Sequence, residues 1–279
     1  MRLEITNFAS TTLIKTSTSQ IQMNLIDTHT HLFTEQFNED RDDIVKSAIE
    51  AGVSKMLLPN IDLASIEAMH QLEKDYPENC FAMMGMHPCS VTENWESELE
   101  VIKSHLFSRK YVAVGEIGMD LYWDKSSLPF QQKAFAQQIE WAKELGIPIV
   151  IHVRDAFDEA FEIVDELNDD RLSGVFHCFT GNIEQANHIL NYGGFKLGLG
   201  GVLTFKNSGL DKTISEIDMR HLILETDSPY LAPHPNRGKR NETSFITYVA
   251  SKLAEVKGIS IEEVAKITSS NATELFKLQ

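Results

Sequence analysis

The sequence predicts an α/β fold, a single TIM (β/α)8 barrel, and three observations carry that prediction. Short apolar runs alternate with longer amphipathic stretches, the runs number eight, and acidic residues and histidines recur at their carboxyl ends. In order, the runs are Leu25–Leu32, Lys55–Asn60, Phe81–Pro88, Val112–Asp120, Ile147–Val153, Gly174–Thr180, Phe195–Gly201 and Leu222–Pro229. Between them, Asp42–Ala51, Pro129–Leu145, Phe157–Leu167 and Ile183–Tyr192 place apolar residues at helical spacing. Gly52 follows the first of these stretches and Gly146 the second, as helix stops. Strands alternating with helices give a parallel sheet, and eight is the number that closes a barrel. An open doubly wound sheet is the alternative. No G-x-G-x-x-G or Walker loop follows the first run, so the nucleotide-binding versions of that sheet lose support. The final stretch, Glu242–Leu278, reads as two helices, with Ser260 as an N-cap and Glu263 three residues on.

Nothing after Met23 reads as a linker, so residues 23–279 are expected to form one barrel. Residues 1–22 are rich in Ser and Thr and lack the apolar core of a secretory signal. They read as a dispensable extension, against a weak targeting segment or an added strand. The chain's 279 residues are 42% hydrophobic and 24% charged, enough to bury a core without disulfides. The three cysteines form no C-x-x-C pair, which suits a reducing, cytoplasmic setting. No apolar run approaches the roughly 18 residues of a membrane span. A net charge of −16 argues against coating nucleic acid with a broad basic surface. It leaves room for an enzyme that grips one or two phosphates. The sequence leaves the oligomeric state open, a monomer included.

In a barrel, the carboxyl ends of the strands build the active site. The first run ends in D-x-H-x-H, and alternation puts Asp27, His29 and His31 on one face. Two such imidazoles can chelate a cation, although two hydrogen-bonded histidines would explain the pair equally well. The other runs shift that balance. The fourth delivers Glu116 between glycines, the fifth His152 and Arg154, the sixth His177, and the eighth Glu225 and Asp227. Each has a bland explanation alone; six N and O donors converging without a metal do not. Their number exceeds one closed tetrahedral site, so two divalent metal ions (Zn, Mn or Mg) with open positions are expected, with Glu116 as the bridge.

The D-x-H-x-H run, GMHP at Gly85–Pro88, GEIGMDLYWD at Gly115–Asp124, PIVIH at Pro148–His152, FHCFTG at Phe176–Gly181, ETDSPYLAP at Glu225–Pro233 and PNRGKRNE at Pro235–Glu242 together have a recognisable form. In these motifs the chain from Met23 onward resembles the TatD family of metal-dependent deoxyribonucleases, in the amidohydrolase superfamily. The resemblance implies a dinuclear centre and hydrolysis of DNA. It implies His29, His31, Glu116, His152, His177 and Asp227 as metal ligands, the residues already chosen from strand ends. Thr243 departs from the proline usual in the family at that position.

The expected chemistry is cleavage of phosphodiester bonds by a metal-activated hydroxide. Asp227 and Glu116 are the catalytic candidates, with Asp227 accepting the proton of the attacking water. Glu225 and Asp27 are expected to support the ligands from beneath. Arg154 is the preferred phosphate contact. His87 either touches phosphate, protonates the leaving oxygen or shapes a turn. Tyr122 and Trp123 either stack a base or pack a loop. Arg237, Lys239 and Arg240 suit phosphate or ion pairs with the protein's own carboxylates, and part of the cluster reads as structural. The expected partner is DNA, single-stranded or at an end. The rival readings are an ester or amide hydrolase, such as an aminoacyl-tRNA deacylase, and a non-catalytic quality-control binding protein. An intact ligand set speaks against the second rival.

Overall fold

A computed structural model describes residues 23–279; the proposed 1–22 extension lies outside the described residues. Eight parallel strands run β1 Leu25–Asp27, β2 Val53–Pro59, β3 Cys80–Met83, β4 Val114–Asp120, β5 Ile149–Arg154, β6 Gly174–Phe176, β7 Phe195–Leu199 and β8 Leu222–Leu224. Continuous ladders join β1 to β3 and β4 to β8. Backbone bonds close both seams. Thr28 donates to Leu224, His31 to Ser228 and Asp227 to His29 on one side; Val112 donates to Ala82 and Gly115 to Met84 on the other. The sheet is therefore a closed barrel, as the alternation predicts, and the open-sheet alternative falls.

Nine helices cover it among the described residues: α1 Arg41–Glu50, α2 Ile66–Asp75, α3 Trp95–Ser108, α4 Leu128–Leu145, α5 Phe157–Leu167, α6 Ile183–Asn191, α7 Leu210–Glu216, α8 Ile246–Lys257 and α9 Ile261–Phe276. The expected stops and caps are present. Gly146 adopts φ 63° and its N–H closes α4 on Ala142, while Ser260 accepts from the Glu263 N–H to open α9. Helices α2, α3 and α7 fill the remaining places in the strand–helix alternation. None of the described helices is long and apolar enough to cross a membrane.

Six strands, β1, β2, β3, β6, β7 and β8, end before the apolar runs do, β3 at Met83 rather than Pro88 and β7 at Leu199 rather than Gly201. β1, β6 and β8 end at Asp27, Phe176 and Leu224, so His29, His31, His177 and Asp227 lie just past the ladder. Backbone bonds go on there without a regular ladder: His31 donates to Ser228, Asp227 to His29 and His177 to Ile151. Helix α9 crosses the opposite end of the barrel. Ser269 donates to the Asn24 carbonyl and Asn271 to those of Met219 and Leu222, all at strand starts. Its Leu275 and Phe276 join Ile26, Leu57, Val150 and Ile223 in a buried apolar floor.

Candidate metal centre

Glu116 lies in β4, 2% exposed, and its two oxygens face different imidazoles. Oε2 is 3.1 Å from His29 Nε2 and 3.5 Å from His31 Nε2. Oε1 is 2.8 Å from His177 Nε2, 2.9 Å from His152 Nδ1 and 3.4 Å from His87 Nε2. Asp227 Oδ1 joins the first group, 3.5 Å from His31 Nε2 and 3.7 Å from His29 Nε2. Glu116 thus gathers four of the other five expected donors directly, and Asp227 joins through His29 and His31.

Hydrogen bonds alone serve this crowd poorly. The His29 and His31 Nε2 atoms are 3.2 Å apart, and His177 Nε2 is 3.3 Å from His152 Nδ1. A neutral imidazole has a single N–H, and the Nδ1 atoms of His29 and His31 are buried without a partner. Two ligand atoms at about 2.1 Å from a shared cation sit about 3.0–3.4 Å from each other. The observed spacings match that separation. The residues therefore fit a divalent cation on either side of Glu116, and the chemistry of the set, imidazole with carboxylate, suits Zn²⁺ or Mn²⁺ better than Mg²⁺ alone.

Local backbone chemistry builds the arrangement. Gly118 has φ 136°, and a Cβ there would lie 2.1 Å from the His152 carbonyl oxygen. Only glycine lets β4 pair so closely with β5, where Gly118 sits opposite His152. Asp227 occupies the left-handed region at φ 57°, pinned by its N–H on the His29 carbonyl, 2.9 Å, and by Tyr230 donating to its carbonyl, 2.8 Å. Such a backbone costs about 1–2 kcal/mol and persists only when surrounding bonds hold it.

In the metal-free chain, charge and burial compete. Burial would push the Glu116 carboxyl up, but His177, His29 and His87 hold it well below its ordinary range. His177 is driven the other way: burial opposes its charge, yet Glu116 and Glu225 raise it well above an ordinary histidine. His29 is lowered by burial and by the field of His177. For Asp227, burial is outweighed by the His31 hydrogen bond and the charges of His29 and His177, so its carboxyl is lowered. The centre is electrostatically organised around one anion.

The supporting residues divide. Glu225 is wholly buried, 3.4 Å from His177 Nδ1, and accepts the Cys178 N–H. A Cβ at Gly198 would stand 2.3 Å from Glu225 Oε2, so that glycine makes the room the carboxylate fills. Asp27 touches no imidazole ring. Its oxygens accept from the Thr226 N–H and hydroxyl and from the His29 N–H, and burial pushes its carboxyl up to about 7. It supports His29 through the backbone. Arg154 stands on the rim, its guanidinium 3.7 Å over Tyr122 and 5.5 Å from Trp123, which is 71% exposed. Arg240 is tied to Asp40 at 2.6 Å, and Asn241 donates to the Thr226 and Tyr230 carbonyls, so that part of the PNRGKRNE loop is structural.

Sequence reasoning passed over Asp120. Its Oδ2 lies 2.9 Å from His152 Nε2, and although burial pushes the carboxyl up, the His152 bond and charge together with the Tyr122 N–H hold it down at about 2. Alternation along β4 from Glu116 through Gly118 to Asp120 was the available signal. His87 likewise comes closer to Glu116 than a turn residue needs, while its Nδ1 accepts the Cys89 N–H at 3.0 Å. A cavity of about 760 Å³ opens above these groups, reaching Trp123, Arg154, Tyr230 and Leu231 at the rim.

The family profile described as TatD related DNase matches residues 26–277. A metal-dependent hydrolase of Bacillus subtilis, itself uncharacterised, is 39% identical over 91% of this chain and 99% of its own length. A protein of Salmonella typhimurium named 3'-5' ssDNA/RNA exonuclease TatD is 30% identical over 91% of this chain and 99% of its own. Among solved structures, the TatD homologue YjjV of Escherichia coli K12 superposes with a TM-score of 0.87 at 28% identity, covering 93% of this chain and 100% of that one.

Proposed function

The chain belongs to the TatD family of metal-dependent hydrolases, and on its site we propose that it hydrolyses phosphodiester bonds of single-stranded DNA, using two divalent metal ions. One observation carries the reading: the two oxygens of Glu116 divide the imidazoles into two sets beneath an open cavity. His29, His31 and Asp227 would hold one ion, His152 and His177 the other, and Glu116 both. Bound there, such ions activate water at neutral pH and neutralise charge on the phosphate oxygens.

The chain's own residues do the rest. Asp227 accepts the proton that the attacking water gives up. His87, kept neutral by burial and with its Nδ1 taken by the Cys89 N–H, turns its Nε2–H to the cavity wall, placed to donate a hydrogen bond to a phosphate oxygen. Arg154 reaches the cavity with no carboxylate within 4.0 Å among the described residues, so its guanidinium is open to a phosphate. Tyr122 and Trp123, beside it, offer ring faces to a base. The relative from Salmonella, named for single-stranded DNA and RNA, supports this substrate class. Three free thiols suit work in the cytoplasm.

Metal analysis of the purified protein with an assay on 5'- and 3'-labelled single-stranded DNA tests the proposal. Expected are close to two ions per chain and progressive shortening of the oligonucleotide, lost in Asp227→Asn. Bound metal without any phosphodiesterase activity would replace this reading with an ester or amide hydrolase. Undiminished cleavage by Asp227→Asn would overturn the role given to that carboxylate.

A further inference from the structure

A second cavity, of about 700 Å³, adjoins the metal centre and shares Thr180 and Val202 with it. Phe205, Lys206, His234 and Arg237 line it. In a chain of net charge −16 its walls are unusual, since they hold two cations and no carboxylate. Another cavity beside the metal centre, which shares Val153, Arg154 and Thr180 with it, contains Asp155, Asp158 and Glu159 instead. A polyanion leaving the metal centre meets attraction on one side and repulsion on the other.

The cations of this cavity are available. Arg237 lays its guanidinium 3.9 Å over the Phe205 ring. Neither Arg237 nor Lys206 has a carboxylate within 4.0 Å among the described residues, whereas Arg240, three residues along the same loop, is held by Asp40 and Glu242. The stacked ring fixes the guanidinium plane and leaves its N–H edges free, the form that suits phosphate oxygens. The two loops are also locked together. The His234 N–H donates to Thr204 Oγ1 at 2.8 Å, and a Cβ at Gly201 would lie 1.9 Å from the Leu231 carbonyl oxygen. The groove is therefore preformed.

We propose that the Lys206–Arg237 groove binds the phosphates of nucleotides flanking the scissile bond, so that a single strand crosses the rim toward Phe205 and away from Asp155. This rests on the nucleic-acid reading above and extends it by giving the strand a direction. The backbone phosphate is the feature recognised, so DNA and RNA strands are both taken.

The test uses the metal-loaded protein and Lys206→Ala/Arg237→Ala, with a non-hydrolysable phosphorothioate octanucleotide labelled for fluorescence anisotropy, at stepped salt. Loss of both contacts should weaken binding about tenfold and flatten the slope of log K against log salt by about 1.4, at about 0.7 for each single-strand contact. The loss in kcat/KM should grow with strand length, from under about twofold on a dinucleotide to about tenfold on an octanucleotide. A thermal midpoint matching wild type shows that the variant is folded; if it is not, Arg237→Gln alone gives the same reading at half the slope change. Equal affinity and slope in variant and wild type would overturn the groove. The two proposals fail separately: a strand cut but indifferent to the variant removes the groove, and a strand bound through these residues but never cut removes the nuclease.

Discussion

The two ends of this barrel are made from the same eight strands and have opposite chemistry. At the floor, Ile26, Leu57, Val150 and Ile223 meet Leu275 and Phe276 of α9 in an apolar layer. At the mouth, a few residues further along those strands, wholly or nearly buried His29, His31, Glu116, His177 and Glu225 crowd together, and several of their polar atoms have no protein partner. Burying polar groups without partners costs about 1–3 kcal/mol each by mutational measures. The difference teaches where the fold invests its stability and where it spends it. The floor and the outer helical layer supply the surplus that keeps this buried polar set, with its unpartnered atoms, in place.

Breaking the mouth should therefore cost function while breaking the floor costs stability. The largest effect is expected from Glu116→Gln. It removes the one anion facing both imidazole sets, so hydrolysis should fall at least about a thousandfold, about 4 kcal/mol in activation terms. Metal content should drop with it, measured by elemental analysis. Full activity with full metal occupancy would show that Glu116 is not the shared ligand, and the comparison would lose its centre.

At the floor, Phe276→Ala removes a side chain 3% exposed and leaves a void beneath β1 and β8. Large-to-small changes of this kind cost about 3–5 kcal/mol, and a site near the end of a helix can relax, so about 3 kcal/mol is expected. Urea unfolding would show a lowered midpoint, while kcat per metal-loaded molecule stays near wild type. A fall in kcat at constant metal content would mean that the two ends are mechanically coupled, contrary to the division drawn above.

Much of the mouth was legible in the sequence because ligand chemistry is carried by residue type and strand position. D-x-H-x-H, Glu116, His152, His177 and Asp227 all sit where alternation and the barrel rule direct attention. What was not legible depends on packing across strands. Asp120 gains its meaning only from His152 on the neighbouring strand. Gly198 gains its meaning only from Glu225, and the contrast between Arg237 and Arg240 comes from Phe205 and Asp40. The floor was hidden for a related reason. Two C-terminal helices could be read from periodicity, but the end of the barrel that α9 would seal depends on bonds to Asn24, Met219 and Leu222, far away in the chain. Strand ends were overestimated where the site begins, since the apolar pattern continues while the ladder does not.

The smallest expected effect sharpens the comparison at the edge of the mouth, where Arg240 joins the loop after β8 to the segment before α1. The pair is bidentate, 2.9 Å and 2.6 Å, and Arg240 also donates to the Gln36 carbonyl. The Arg240 hydrogen bonds hold the Asp40 carboxyl below its ordinary range. Because the folded value is depressed, the contribution is complete above the unfolded value, near pH 4, and disappears as pH falls through the folded value. Asp40 is partly exposed, so solvent screening limits the gain to about 0.5 kcal/mol. Asp40→Asn should then be less stable than wild type by about that amount at pH 7, with the gap closing as both are titrated below pH 4 in urea melts. A gap that is constant with pH would assign the tether to the Gln36 carbonyl rather than to charge. The loop would then belong with the hydrogen-bonded framework of the barrel and not with the electrostatics of its mouth.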